Sequence, residues 1–201
     1  MDSISGSTLR DTSGSGYDMK ISGATSAAGN VGNALSFDGI NDYAVATSYV
    51  IPPGAKTVLC QAYIRNYGYG QIMTTGHSSI GYGFNFRSGN TGFELYMNKG
   101  TSGQHNVSVD FPATQNEWHI IVIAITGDTS KDGVKIYMDG LLVVSATLLA
   151  ADSHASAQSL SVGRLPSDEQ YFNGYIDQMR VYNRVLSDTE IAALYNGGAG
   201  C

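Results

Sequence analysis

Short runs of strand-forming residues, separated at brief intervals by turn residues, follow one another from Ala34 to Asn183. A chain of this kind must turn back after every few residues, which is what an antiparallel β-sandwich requires. The predicted strands are Ala34–Phe37, Tyr43–Ala46, Thr57–Arg65, Gln71–Thr75, Tyr82–Arg87, Phe93–Asn98, Asn106–Phe111, Trp118–Thr126, Gly133–Met138, Leu141–Leu149, Ser159–Gly163 and Gly174–Asn183.

The 201 residues show no domain boundary, and a sandwich of this size commonly stays undivided. A chain of this length buries a self-sufficient core, so folding requires neither a disulfide nor a metal ion. Residues 1–33 are rich in Gly, Ser, Thr and Asn and predict loops with short edge strands. We therefore predict one all-β domain over residues 1–201, in which residues 1–15 are a candidate extension or assembly arm.

Alternation within the runs assigns side chains to faces, because successive residues of a strand point to opposite sides of the sheet. In the run Phe93–Asn98 the apolar residues share one face, and Glu94, Tyr96 and Asn98 share the other. The run from Trp118 to Ile125 is apolar on both faces and predicts a central strand that is buried from both sides. The predicted core comprises Phe37, Phe84, Phe86, Phe93, Leu95, Trp118, Ile120, Ile136, Val162 and Val181.

Two local signals are specific. Asp139-Gly140 joins two predicted strands and indicates a tight hairpin, since Gly readily takes the positive φ needed there. Ser187 and Glu190 have the spacing of a capping box, which predicts a helix over Ser187–Tyr195. Its apolar stripe comprises Ile191, Leu194 and Tyr195.

Taken together and in order, four stretches resemble the laminin-G-like jelly-roll family of the concanavalin A-like lectin/glucanase superfamily. They are Gly32–Tyr43, Glu117–His119 with the apolar strand that follows, Lys135–Gly140, and Phe172–Ser187 running on to Ile191. The resemblance implies a two-sheet antiparallel jelly-roll sandwich with one short C-terminal helix. These motifs are mostly architectural, so they indicate the fold more than the ligand. The family often has Trp where this chain has Tyr63, which removes a common stacking residue from that face.

Charge and composition exclude several partners. The net charge is −6 and no run of Lys or Arg occurs, so binding to nucleic acid or to an anionic membrane surface is not expected. The longest mostly apolar stretch, Leu141 to Ala151, is too short to span a bilayer, and we expect no membrane insertion. Cys60 lies in an apolar strand and is expected to be a buried free thiol.

Catalysis is not expected. Glycosidases need two carboxylates that flank one bond, and no apolar strand carries two acids at the required spacing. Glu94 has no partner within its own strand. The histidines are scattered without zinc-binding spacing, and His119 beside Trp118 is expected to be structural. We therefore predict that the protein is not an enzyme.

Calcium is the one cofactor that the sequence suggests, in a structural role. The ion binds six to eight oxygens, commonly from a turn and a distant acid. The turn containing Asp38 and Asp42 offers such oxygens, and the family resemblance places Asp177 on a neighbouring strand. An alternative is that Asp177 accepts hydrogen bonds from backbone amides or pairs with Arg180 or Arg184.

Candidate ligand-binding residues have the chemistry of sugar recognition, which uses aromatic faces for stacking and planar polar groups for hydroxyls. Tyr67 and Tyr69 lie on a glycine-rich turn, and further groups come from the non-core faces of neighbouring strands. These are Asn85, Arg87, Tyr96 and Asn98. An ordinary sandwich surface is the alternative interpretation, and the polar cluster Asp168–Tyr171 is expected to be solvated.

The sequence thus predicts a non-catalytic module that binds carbohydrate or a cell-surface protein, located outside the cell, at a cell surface or on a virion. The start, Met1-Asp2-Ser3, lacks the basic and apolar regions of a signal peptide. Two alternatives stay open: a signal peptide has been removed, or export happens by another route, such as release of a virus particle. A structural or assembly protein, such as a virion decoration or fibre subunit, is the second hypothesis. A homo-oligomer or membership of a larger assembly is compatible with both.

Overall fold

The computed structural model describes residues 1, 3–46, 48–49, 51–76, 84–98, 105–153, 158–166 and 170–196. The strands are β1 Ile4–Ser5, β2 Thr8–Leu9, β3 Met19–Ser22, β4 Thr25–Ala28, β5 Asn33–Asp38, β6 Tyr43–Ala46, β7 Lys56–Ile64, β8 Gln71–Thr74, β9 Phe84–Ser88, β10 Gly92–Asn98, β11 His105–Pro112, β12 Trp118–Ile125, β13 Val134–Met138, β14 Leu141–Ala146, β15 Leu160–Val162 and β16 Asn173–Tyr182. The helix is α1 Asp188–Asn196.

Two antiparallel sheets form the sandwich. The first has nine strands in the order β1-β2-β3-β6-β15-β8-β9-β10-β11, and the second has seven in the order β14-β13-β12-β7-β16-β5-β4. Each predicted run corresponds to one of these strands, except that Tyr82 lies outside the described residues. The predicted all-β, two-sheet antiparallel jelly-roll sandwich with one short helix is therefore confirmed. Residues 1–15 supply β1 and β2, at one edge of the nine-stranded sheet.

The core lies between the sheets, and most of the predicted core residues are buried in it. Three are only half-buried, which corrects the prediction: Trp118, Ile120 and Val181. The first two lie on β12, which is apolar on both faces but covered on its outer face only in its second half. There Val122 and Ala124 pack with Leu59 against Ile191 of the helix. Trp118 and Ile120 come earlier in the strand, where the helix does not cover it.

The helix begins as the capping box predicts. The backbone N–H of Ser187 donates to Glu190 Oε2 at 2.8 Å, and the backbone N–H of Glu190 donates to Ser187 Oγ at 3.3 Å. Arg184 and the Ser187 amide hold the pKa of Glu190 at about 2 by hydrogen-bonding its carboxylate. The side chain of Tyr137 ties the helix to the sheet by donating to Asp188 at 2.7 Å.

The Asp139-Gly140 turn joins β13 to β14 as expected, with positive φ at both residues (53° and 81°). The Asp139 side chain fastens the turn to β12, since it accepts the backbone N–H of Ile120 at 2.9 Å and contacts His119 Nδ1 at 2.7 Å. His119 is buried, and its hydrogen bonds explain its structural role.

Cys60 is buried and free, as predicted, and burial raises the pKa of its thiol to about 12. Within the described ranges, no helix has the length and apolar character needed to cross a bilayer.

Candidate ligand-binding site

A cleft of 390 Å³ opens among the loops at one end of the sandwich. The loops that form it join β5 to β6, β7 to β8 and β15 to β16, together with the end of β9. Among the described residues its lining is polar and aromatic and includes no carboxylate, ammonium or guanidinium group. The lining residues are Gly39, Asn66, Tyr67, Gly68, Tyr69, Gly70, Ser88, Gln170, Tyr171 and Asn173.

Backbone contacts fix these loops against one another. The N–H of Gly68 donates to the carbonyl of Gly89 at 3.2 Å, and the N–H of Gln71 donates to that of Gln170 at 3.2 Å. Gly70 is required here, because a Cβ at this position would lie 2.5 Å from Phe172 Cα. The glycine-rich turn that carries Tyr67 and Tyr69 is thus fixed by backbone hydrogen bonds at the ends of the strands. It packs directly against the segment that carries Gln170 and Tyr171.

The two tyrosines predicted from the sequence both line the cleft. Tyr67 is 38% exposed and donates its hydroxyl to the carbonyl of Ala113 at 2.6 Å. Tyr69 is 44% exposed, and its hydroxyl accepts a hydrogen bond from Asn90 Nδ2 at 2.6 Å. Each ring is anchored through its hydroxyl while part of its surface stays open to solvent.

Arg87 lies behind Tyr69 on the outer face of the nine-stranded sheet. Its guanidinium carbon is 4.6 Å from the Tyr69 ring centre and 4.9 Å from the Tyr96 ring centre. Its Nε donates to Glu94 Oε2 at 2.7 Å, and Nη1 lies 3.5 Å from Gln170 Oε1. The predicted residues Tyr69, Arg87 and Tyr96 therefore form one stack beside the cleft.

Other predicted ligand-binding residues are less accessible than expected. Asn85 is fully buried and accepts a hydrogen bond from Thr74 Oγ1 at 2.5 Å, while its Nδ2 has no partner among the described residues. Tyr96 is 7% exposed, partly because Arg87 covers its ring. Both lie in one cross-strand row on the outer face, since Asn85 is opposite Thr74 and Tyr96. The side chain of Asn98 lies outside the described residues.

The three predicted calcium ligands do not converge. Asp42 Oδ2 accepts the backbone N–H of Asp38 at 2.9 Å, so these two acids share one turn. Burial raises the pKa of Asp42, and the charge of Asp38 adds to the rise. Asp38 is opposite Asn173 on β16, whereas Asp177 lies four residues further along that strand, about 13 Å away. Among the described residues, no group of three potential ligand side chains is placed to hold a metal ion.

Asp177 instead has the hydrogen-bonding role that the sequence left as an alternative. Its carboxylate is fully buried and accepts the backbone N–H of Val31 at 3.2 Å and that of Gln178 at 2.7 Å. The α-ammonium of Met1 donates to its Oδ1 at 2.7 Å. Of the two arginines, Arg180 donates to Gln178 and Arg184 to Glu190, whereas the described partners of Asp177 are the two backbone N–H groups and the Met1 ammonium.

Sequence reasoning missed two parts of this region. Gln170 and Tyr171 line the cleft, although their segment was expected to be a solvated loop; Asp168 and Glu169 lie outside the described residues. Asp110 on β11 is directly opposite Glu94 on β10, a cross-strand pair of acids that a search within single strands does not detect. Glu94 is already bound to Arg87, and Asp110 is exposed.

A second aromatic group lies on the outer face of the seven-stranded sheet. Trp118, Tyr63 and Tyr175 come from three adjacent strands, and the Tyr63 ring centre lies 5.8 Å from Trp118 and 5.3 Å from Tyr175. Tyr63 meets both neighbouring rings edge-on, and Arg65 covers Tyr175 at 4.1 Å. Trp118 and Tyr175 also contact each other, with ring centres 6.1 Å apart.

The fold and these motifs agree with a family model. The laminin G model described as the concanavalin A-like lectin/glucanases superfamily matches residues 38–192. The match covers well over half of the chain, and the chain belongs to this family. A search of curated proteins found no significant match.

Solved structures share the fold at low sequence identity. Domain 4 of AbnA, a GH43 extracellular arabinanase from Geobacillus stearothermophilus in complex with arabinotriose, is 16% identical with a TM-score of 0.69 over 87% of this chain and 82% of that one. The binding domain of Paraclostridial Mosquitocidal Protein 1 is 13% identical, with a TM-score of 0.76 over 97% of this chain and 51% of that one. The botulinum neurotoxin serotype D binding domain is 15% identical, with a TM-score of 0.73 over 94% of this chain and 49% of that one. The chain spans about half the length of the two toxin chains.

Proposed function

We propose that the cleft binds a neutral oligosaccharide and that the domain is a non-catalytic carbohydrate-binding module. The observation that carries this proposal is the described lining of the cleft: tyrosine rings and side-chain amides, without a charged side chain among them. Sugar rings stack on aromatic faces through their C–H groups, and amides hydrogen-bond their hydroxyls. The volume of 390 Å³ lies in the usual range for small-molecule sites.

The relatives support a binding role and suggest the first ligands. One structural neighbour is a domain of an arabinanase with arabinotriose bound, and two others are binding domains of toxins. Short neutral saccharides, with arabinotriose among them, are therefore the first probes. In line with the sequence-based expectation, we place the protein outside the cell, at a cell surface or on a virion.

The chemistry of the cleft favours binding over hydrolysis. Glycosidic cleavage needs an acid and a second carboxylate on either side of the bond, and among the residues that the structure describes the cleft lining includes neither Asp nor Glu. Glu94 is bound to Arg87 behind that lining. We infer that the bound saccharide is released unchanged.

Replacement of Tyr69 with alanine is expected to weaken saccharide binding about 10- to 100-fold, in line with the loss of one stacked ring. Tyr69→Phe keeps the ring and should bind within a few-fold of the wild type. The measurement is isothermal titration calorimetry with the tightest saccharide from an array of short neutral glycans. Tyr195→Ala is the control, because Tyr195 is similarly exposed (41%) but lies on the helix. Unchanged affinity in Tyr69→Ala, or no binding by the wild type, would contradict the proposal.

One observation favours the second candidate, an assembly role. The edge strand β14 exposes Leu141 (71%), Leu142 (52%) and Val143 (40%), and no charged residue or Pro occurs from Leu141 to Leu149. Edge strands that lack such protection pair with other strands. A second copy, with β14 antiparallel to β14, is the partner that this edge fits.

Self-association through β14 should appear as a concentration-dependent dimer in sedimentation velocity. Leu141→Lys places a charge on this edge without opening the core and should weaken the dimer at least tenfold. Ile40→Lys is the matched control, because Ile40 is equally exposed (70%) on the turn after β5. A monomer at every concentration would rule out this mode of assembly.

A further inference from the structure

Arg87 is a cation beside the cleft, whose described lining has no charged side chain. Tyr69 and Gln170 line the cleft, and both contact the guanidinium from the cleft side. The ring of Tyr96 contacts it as well. Because these contacts do not involve Glu94, they hold the guanidinium in position even without the Glu94 carboxylate.

Glu94 neutralises this cation. Nε and Nη2 of Arg87 both lie 2.7 Å from Glu94 Oε2, and the two side chains are 20% and 17% exposed. The other oxygen, Oε1, lies against Gly89, where a Cβ would come within 2.4 Å of it. The absence of a side chain at position 89 therefore leaves room for the carboxylate over Arg87.

We propose that Glu94 is a specificity-determining residue: by occupying Arg87 it restricts the cleft to neutral sugars and excludes sugars that carry a carboxylate. This inference rests on the proposed function and adds the selection of the substrate class. A carboxylated sugar in the cleft meets no net positive charge, because the carboxylate of Glu94 already takes the charge-assisted donors of Arg87. A neutral sugar needs no such partner.

Removal of the Glu94 charge should reverse this preference. In Glu94→Gln the side chain keeps its shape, its amide oxygen still accepts from Nε, and the two tyrosine rings still hold the guanidinium. Glu94 then no longer neutralises the positive charge of Arg87, which lies against the Tyr69 ring and Gln170 of the cleft lining. At a partly exposed site this charge is expected to improve the binding of an anionic sugar about tenfold at low salt, and the gain should shrink as salt screens it.

The experiment measures the affinity of each variant for galactotriose, arabinotriose and trigalacturonate by calorimetry at low salt and again at 0.5 M sodium chloride, roughly the concentration at which a Debye length falls below 5 Å. Glu94→Gln should bind trigalacturonate about tenfold more tightly than the wild type and change neutral binding less than threefold. Arg87→Gln/Glu94→Gln should lose that gain. Glu190→Gln is the matched control, since it also removes the carboxylate from an arginine pair, on the exposed side of the helix.

Gly89→Ala is an independent variant that keeps the charge. Its Cβ displaces the flexible end of Glu94 and should uncover Arg87, which predicts a smaller gain in the same direction. Equal trigalacturonate affinity in the wild type, Glu94→Gln and Gly89→Ala overturns the role of Glu94 while neutral binding, and thus the proposed function, stands. An equal gain in Glu190→Gln overturns it too, because net charge alone would then explain the effect. If the wild type binds no neutral saccharide of the panel, the proposed function fails and the specificity inference fails with it.

Discussion

Asp152→Asn is expected to destabilise the protein by about 3 kcal/mol, because it leaves the ammonium group of Lys56 buried without its counter-charge. The Lys56 side chain is 1% exposed, and its Nζ pairs with Asp152 Oδ2, whose side chain is 10% exposed. A second bond, from Nζ to the carbonyl of Gly54 at 2.7 Å, cannot neutralise the charge.

The pair lies where three loops meet. Asp152 also joins them through its backbone, since its N–H donates to the carbonyl of Gly127 at 2.8 Å and its carbonyl accepts the N–H of Gly54 at 2.8 Å. Gly54 and Gly127 are in close contact, and a Cβ on Gly127 would lie 2.4 Å from Gly54. These backbone bonds keep the loops in place in Asp152→Asn, so the loss of stability should report the unpaired charge.

Urea denaturation of single and double variants checks this expectation. Lys56→Met/Asp152→Asn removes the buried charge together with its partner and should recover most of the lost free energy of unfolding, since apolar replacements of buried ion pairs are often neutral. The midpoint should fall in Asp152→Asn with an unchanged m-value. A loss below about 1 kcal/mol, or a double variant as unstable as the single one, would show that Lys56 reaches water in the folded protein.

Asp177→Ala is the second substitution with a large expected effect, about 3 kcal/mol. It removes a fully buried acceptor and leaves the N–H groups of Val31 and Gln178 and the Met1 ammonium without it. Gln178 adds to the cost, because its positive φ of 47° is disfavoured for a non-glycine residue and is supported by this hydrogen bond. Asp177→Asn keeps one carbonyl oxygen and should be intermediate.

The same variants test the calcium hypothesis. If Asp177 acts through its hydrogen bonds, the destabilisation is the same in calcium and in EDTA, and the melting temperature of the wild type does not respond to chelation. A structural calcium ion would instead give a melting temperature that rises with the logarithm of free calcium. A calcium response in the wild type that disappears in Asp177→Ala, and survives in Asp188→Ala, would contradict this account.

Local signals in the sequence predict most of the fold, because strands, turns and caps depend on neighbouring residues. The Asp139-Gly140 hairpin and the Ser187–Glu190 capping box are both present as predicted. Trp118 shows the limit of periodicity. Its strand is apolar on both faces, but burial of the outer face depends on where the helix packs. On this strand the helix packs over Val122 and Ala124 and not over Trp118.

The candidate site required tertiary information. The glycine-rich turn with Tyr67 and Tyr69 was recognisable because its aromatic residues are neighbours in the sequence and have the chemistry of sugar stacking. Gln170 and Tyr171 lie about a hundred residues away in sequence, and their polar segment carries no local sign that it faces these tyrosines. Asp177 was recognisable from the sequence as an acid in an apolar strand. Its hydrogen-bond partners Val31 and Gln178 were not recognisable, because the backbone groups that approach it depend on the tertiary structure.

A titration followed in ¹H–¹⁵N correlation spectra tests the central claim, that the cleft at the end of the sandwich binds saccharide. With the tightest neutral oligosaccharide, shift changes should cluster at residues 66–70, 88–90 and 170–173, and Tyr69→Ala should strongly reduce them at the same ligand concentration. Shift changes centred on Tyr63, Trp118 and Tyr175, with the cleft residues unaffected, would place binding on the opposite sheet and contradict a saccharide site in the cleft.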